Sequence, residues 1–208
     1  MSYIKRMSDH YQNENKVNIR HFCSETDKNE VSNIWVSGLD QTVNSKWWPT
    51  RPIWKFFFNR MAEYAVEESG DVGPNGQNLS NHWCDDTGNR CMLVAEMTLE
   101  CENTLNSRIV GCIAVVRGTN SNNNIKVENT ETTFSVWKMS VSEEYRRMGI
   151  GKKLLDAGEK WAKNNGCKNM RMITANPIAS TFYQNQGYEL LPTNMFGIWL
   201  GGWHEKEL

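Results

Sequence analysis

Arg146-Arg147-Met148-Gly149-Ile150-Gly151 follows a predicted strand over 133–141 and opens a segment in which Ile150, Leu154, Leu155, Gly158 and Trp161 fall on one helical face. A turn of this kind exposes successive backbone N–H groups at the positive end of a helix, which suits a phosphate. Spacing excludes two common phosphate loops. A Walker loop needs G-x-x-x-x-G-K-[ST], but Gly151-Lys152 is followed by Lys153, and Arg146 stands five residues before Gly151. A dinucleotide fingerprint needs a third small residue where Leu154 stands. The pattern left is R-x-x-G-x-G, in which Gly149 and Gly151 let the backbone approach an anion and Arg146, Arg147, Lys152 and Lys153 supply charge. A glycine-containing helix start with a solvated basic face is the other reading of the run taken alone.

Working outward, residues 17–22 alternate like a first strand, and residues 30–43 carry Val31, Ile34, Trp35, Gly38 and Leu39 at helical spacing. Trp47-Trp48-Pro49-Thr50-Arg51-Pro52 breaks that helix, and residues 53–67 resume the period. Residues 91–97 and 109–116 read as consecutive buried strands, with loops expected over 69–89 and 118–130. After the glycine run and its helix come a strand near 170–174, a helix near 178–186 and short strands up to Trp203. The expected class is α+β without internal repeats, with residues 1–16 a mobile arm and 17–208 a single domain.

A chain of 208 residues is long enough for one domain with a substantial core, and a formal net charge of -1 offers no general attraction to nucleic acid or anionic lipid. No stretch approaches the roughly 18 apolar residues of a membrane span, and the opening residues resemble no secretion signal. A cytoplasmic protein without a membrane partner is expected. The six cysteines form no C-x-x-C pair, and the group His82, Cys84, Asp85, Asp86 and Cys91 matches no common zinc spacing, so no metal is expected.

The glycine run has company. Val136-Trp137-Lys138-Met139-Ser140-Val141 leads through Glu143-Glu144-Tyr145 into it, and Asn176-Pro177-Ile178-Ala179-Ser180-Thr181-Phe182-Tyr183-Gln184-Asn185-Gln186-Gly187-Tyr188 follows. Together these stretches resemble the core of the GNAT superfamily, the acetyl-CoA-dependent N-acetyltransferases; around the motifs the layout is similar to camello-like members, without their membrane segment. The resemblance implies a mixed, mostly antiparallel central sheet flanked by helices. It implies that the backbone of Met139, Ser140 and Val141 meets the pantetheine arm. Amides from Arg146, Arg147, Met148, Gly149, Ile150, Gly151 and Lys152 would hold the pyrophosphate. Asn176 would touch the arm, the Val141 N–H would face the thioester oxygen, and the Tyr183 hydroxyl would lie near the sulfur.

The implied reaction is acetyl transfer from acetyl-CoA to a primary amine on a small molecule or a peptide. A lysine-like amine is neutral only about once in a few thousand molecules at pH 7, so a proton acceptor is needed. Many relatives carry a glutamate on the strand before the glycine run, where Ser135 and Trp137 stand here. Glu96 is therefore the first candidate base and His82 a second. Trp47 and Trp48 are candidates for an aromatic acceptor pocket, and Phe182 for the core. The expected assembly is a monomer or homodimer. An acyl-CoA-binding sensor without turnover is the alternative from another functional class.

Overall fold

The computed structural model describes residues 16–44, 88–101, 104–118, 131–174, 176–191 and 202–208. Strand β1 (Val17–His21) is followed by helix α1 (Ser24–Asn44) and by a long hairpin, β2 (Arg90–Cys101) and β3 (Thr104–Arg117). Strand β4 (Thr133–Val141) leads through a short 3-10 turn, Glu143–Tyr145, into α2 (Ile150–Asn164). Then come β5 (Asn169–Thr174), α3 (Pro177–Asn185), β6 (Glu189–Leu190) and β7 (Gly202–Glu207). The described strands form one sheet in the order β1-β2-β3-β4-β5-β7-β6, antiparallel except between β4 and β5.

Both faces of that sheet are apolar and need cover. On β2, Cys91, Leu93, Ala95 and Met97 join one core cluster, while Met92 and Val94 join a second on the opposite side. Helix α2 covers the first face with Ile150, Leu154, Leu155 and Ala162, and α3 adds Tyr183 to it. Trimming a buried leucine such as Leu154 to alanine removes about 2–5 kcal/mol in comparable cores. Helix α1 covers the second face with Val31 and Ile34. Its position is fixed by polar bonds as well: the Ile109 amide donates to Glu30 Oε2 at 2.7 Å, and the Ser140 hydroxyl donates to the Ile34 carbonyl at 3.1 Å.

One irregularity positions the site. Ala114 pairs with Lys138 but Val115 pairs with Val136, so Trp137 is the extra residue of a bulge in β4. The face register shifts across it: Phe134 and Val136 share a core cluster with Met139 and Val141. Pairing of β4 with β5 covers only Thr133↔Asn169, Phe134↔Met170 and Ser135↔Arg171, while β5 goes on pairing with β7 as far as Thr174. Beyond Ser135 the two parallel strands part, and the sheet opens into a cleft.

The mixed, mostly antiparallel architecture is the expected one, but three boundaries differ. Helix α1 begins at Ser24 rather than near residue 30, because its polar first turn is held by the Asp27 carboxylate, which accepts from the Cys23 amide at 2.9 Å. Strands β2 and β3 run past 91–97 and 109–116, since the hairpin continues beyond its apolar core to Cys101↔Thr104. The last strand extends past Trp203 to Glu207. The predicted arm up to residue 15, the helix over 53–67 and nearly all of both predicted loops lie outside the described residues. Among the described residues no helix is long and apolar enough to cross a membrane.

Candidate active site

The cleft has a volume of about 880 Å³. It runs from Gly149 and Lys152 on the α2 side of the sheet, past Met139, Val141 and Tyr183, to Trp35 and Gly38 of α1. It therefore passes through the sheet at the split between β4 and β5.

The direction of the β4 backbone follows from one bond. The Ser142 N–H donates to the Val110 carbonyl of β3 at 2.9 Å. Peptide groups alternate along a strand, so Ser140 also faces β3, while Met139 and Val141 face the split. The Val141 carbonyl accepts from Arg146 Nε–H at 2.8 Å, which ties the strand end to the turn that follows. The Ser140 side chain turns the other way, toward α1, and its hydroxyl is committed to the Ile34 carbonyl.

The turn itself is left-handed at two residues. Arg147 has φ 66° and Gly149 has φ 77°. A non-glycine residue in that region is uncommon and marks a backbone shaped for something other than ease. Gly149 is the N-cap of α2 and brings no capping side chain. The first intrahelical bond runs from Lys153 N–H to the Gly149 carbonyl at 3.1 Å, so the amides of Ile150, Gly151 and Lys152 have no acceptor within the helix. They point out of a positive helix end beside the exposed Arg147. Lys152 Nζ pairs with Asp156 at 2.8 Å across an exposed helical turn.

Helix α3 forms the opposite wall. Its N-cap, Asn176, accepts from the Ile178 amide through Oδ1 at 2.9 Å, and Pro177 occupies the first helical position, where its missing N–H costs nothing. The helix is pinned to β7 by His204, which is fully buried. His204 Nδ1 lies 3.0 Å from the Gly202 carbonyl, a pure acceptor, so Nδ1 carries a proton there, and Nε2 lies 2.9 Å from the Ser180 hydroxyl. Tyr183 packs edge-on against Phe182 and Tyr188 and is 7% exposed. Its hydroxyl donates to Met139 Sδ at 3.5 Å, and burial pushes its pKa well above the ordinary tyrosine value.

Glu96 is not brought to this cleft. It sits on β2 opposite Asn18, where Arg20 donates to Oε2 through Nε–H at 3.0 Å. The hydrogen bond from Arg20 holds its carboxyl below the usual range, against a smaller push upward from burial. Glu96, expected beside the reacting centre, is not among the residues that line the cleft, and its carboxylate is engaged by Arg20. Trp47, Trp48 and His82 lie outside the described residues. Burial pushes the thiol of Cys112 up to about 12 and that of Cys167 to about 11, so neither is a thiolate at neutral pH. No group of His, Cys, Asp and Glu among the described residues has the makings of a metal site.

The cleft also uses residues not expected to line it. Trp35 lines it from α1, and Lys138 Nζ sits 4.6 Å above that ring. Trp137 and Ile173 line it while 42% and 41% exposed. Phe182, expected in the core, packs against the core and lines the cleft as well. The face shift from Val136 to Met139 is the one trace of the bulge at Trp137 that a sequence pattern carries.

Comparison with known proteins gives these features a family. Residues 54–188 match the model of the acetyltransferase (GNAT) family, which is more than half of the chain. No curated protein sequence matches significantly. Among solved structures, the PaiA N-acetyltransferase of Thermoplasma acidophilum in complex with coenzyme A superposes with a TM-score of 0.58 at 16% identity, over 93% of this chain and 99% of that one. A GNAT-family acetyltransferase from Staphylococcus aureus Mu50 gives 0.54 at 19% identity, over 92% and 99%. Aminoglycoside 6'-acetyltransferase type Ii gives 0.52 at 16% identity, over 91% and 96%. These likenesses show the same fold, and the family match covers the split strand, the glycine turn and the helix bearing Tyr183. The chain belongs to the GNAT family of acetyltransferases.

Proposed function

We propose that the protein transfers the acetyl group of acetyl-CoA to a primary amine by direct attack in a ternary complex, the amine being carried by a small molecule or a peptide. The observation that carries this is the meeting of a β4 edge, at Met139 and Val141, with which no described strand pairs, and the amides that begin α2. An extended arm adds to such an edge as a further strand, and a pyrophosphate suits amides without acceptors at a helix start. That PaiA was crystallised with coenzyme A supports the same donor here. The free thiols of Cys23, Cys91, Cys112 and Cys167 fit a reducing, cytoplasmic setting.

Each residue then has a task. The amides from Arg147 to Lys152 hold the pyrophosphate, with the Arg147 and Lys152 side chains adding charge. Arg146 keeps the end of β4 in place through the Val141 carbonyl, and the Val141 N–H donates to the oxyanion that forms on the thioester carbonyl. Asn176 spends Oδ1 on the helix cap and has Nδ2 for the arm. As the amine nitrogen bonds to the carbonyl carbon and the C–S bond breaks, Tyr183 gives its proton to the departing sulfur. No enzyme nucleophile is needed. Trp35, Trp137 and Ile173 form the described part of the acceptor side, with Trp47 and Trp48 as further candidates; camello-like relatives resemble the chain around its motifs only.

Calorimetry with acetyl-CoA, joined to a thiol-release assay over a panel of amines and peptides, tests the reading. Saturable binding and release of coenzyme A with at least one acceptor is expected. If neither acetyl-CoA nor coenzyme A raised the melting temperature, the proposal would be lost.

A further inference from the structure

Met139 holds the Tyr183 hydroxyl in this structure, with the phenol oxygen 3.5 Å from its sulfur. The ring itself is fixed by packing: its centroid lies 5.2 Å from Phe182, 5.9 Å from Tyr188 and 6.1 Å from His204. Packing does not fix the hydroxyl hydrogen, which rotates about the C–O bond toward whatever accepts it. The acceptor therefore decides where the proton points, and here it is a side chain of the cleft wall. The methionine also reaches the start of α2, with its methyl carbon 3.5 Å from the position a Cβ on Gly151 would take. One side chain on the parted segment of β4 thus touches both helices that flank the cleft.

We propose that Met139 is the positioning residue of the leaving-group step: its thioether sulfur aims the Tyr183 proton into the cleft and gives it up to the thioester sulfur when the donor is bound. This rests on the reading of Tyr183 as the proton donor. The chemistry of the acceptor favours such an exchange. A thioether is a weak acceptor, so the bond keeps a buried hydroxyl satisfied without holding its proton against a competing sulfur. A carboxylate or backbone carbonyl in the same place would retain the proton. In the step that follows, the C–N bond forms, the C–S bond breaks, the phenol proton passes to sulfur and the proton lost by the amine passes to water.

Hydroxylamine is the probe, because it is small and uncharged at neutral pH and so separates the leaving-group step from acceptor recognition and from any base. Enzyme-dependent thiol release from acetyl-CoA is followed for the wild type, Met139→Leu, Tyr183→Phe and the double variant. Leucine conserves volume and removes the sulfur. Met139→Leu is expected to lower kcat about two- to threefold, the share of hydroxyl orientations lost from the cleft when no sulfur draws the phenol hydrogen toward it, with the KM for acetyl-CoA unchanged. In the Tyr183→Phe background the same substitution is expected to change nothing. Met139→Ile serves as the second sulfur-free variant should the leucine variant melt early. An equal loss in both backgrounds, or a loss confined to KM, would mean packing and overturn the proposal. A full rate for Met139→Leu beside a slow Tyr183→Phe overturns it while leaving the acid in place. A full rate for Tyr183→Phe, or no release by the wild type, removes the catalytic reading and this proposal together.

Discussion

Burial raises the Tyr183 hydroxyl above its ordinary value of 10.0. The form that acts as an acid is the protonated one, and a raised value keeps that form present through the neutral and alkaline range. Loss of the phenol proton therefore should not produce an alkaline decline in rate below pH 10. With hydroxylamine as acceptor, kcat between pH 7 and about pH 9.5 should stay level after correction for the uncatalysed reaction. Tyr183→Phe keeps the ring packing against Phe182 and Tyr188 and removes only the donor. It should lower kcat by roughly 10²-fold, the usual scale for a general acid, with little change in acetyl-CoA affinity by calorimetry. An unchanged rate would take Tyr183 out of the chemistry.

At the scale of elements, the start of α2 joins conformation to binding. Gly149 adopts φ 77°, and a Cβ built there meets nothing within 4 Å, so the cost of Gly149→Ala is conformational rather than steric. The left-handed region costs an alanine roughly 1–2 kcal/mol. The stiffer unfolded chain returns about 0.4–1 kcal/mol of that. A net loss of about 1 kcal/mol should lower the melting temperature by roughly 2–4 °C in a chain of this size. If the turn instead relaxes toward negative φ, the amides turn with it. Calorimetry should then report weaker acetyl-CoA binding together with nearly normal melting. This element was legible before the structure, because glycine spacing and the apolar face of α2 are local properties. The same holds for β4, whose predicted limits coincide with the observed ones. The bulge at Trp137 and the parting of β4 from β5 were not, since both depend on which strand lies alongside. Nor was the Arg20–Glu96 pair, whose partners lie 76 residues apart in the chain. The Met139–Tyr183 contact likewise joins a strand and a helix 44 residues apart.

For the whole molecule, a sheet that opens at its centre must be held together elsewhere. Only three residue pairs join β4 to β5, so the two halves of the sheet share few ladder bonds. Helix α2 bridges them: its apolar face packs on β2, β3 and β4, and Glu159 reaches across to accept from Tyr188 Oη at 3.0 Å and from Lys206 Nζ at 2.8 Å. At the far end, β1, β2 and α1 are joined by Arg20, which donates to both oxygens of Asp27 at 2.6 and 2.9 Å and to Glu96. Asp27 is 2% exposed. Burial alone would raise its carboxyl, but the bonds from Arg20, the Cys23 amide and Thr26 outweigh it and leave it below the ordinary value of 3.8. Glu96 is likewise held below 4.5. Both folded-state values are depressed, so their contribution to stability is complete above the unfolded values and is lost as pH falls through the folded ones. The melting temperature should therefore decline from about pH 4.5 downward. Arg20→Leu removes the common partner and leaves Asp27 buried as an unpaired carboxylate. At pH 7 that should cost about 2–4 kcal/mol, nearer the lower figure because Arg20 is itself partly exposed. The acid dependence should then reverse: with burial dominant, Asp27 is easier to accommodate when protonated, so the variant should gain stability relative to wild type as pH falls from 7 toward 4. Thermal melts of the two proteins across that range decide the matter, and parallel curves would show that Arg20 does not hold the acid-sensitive contacts.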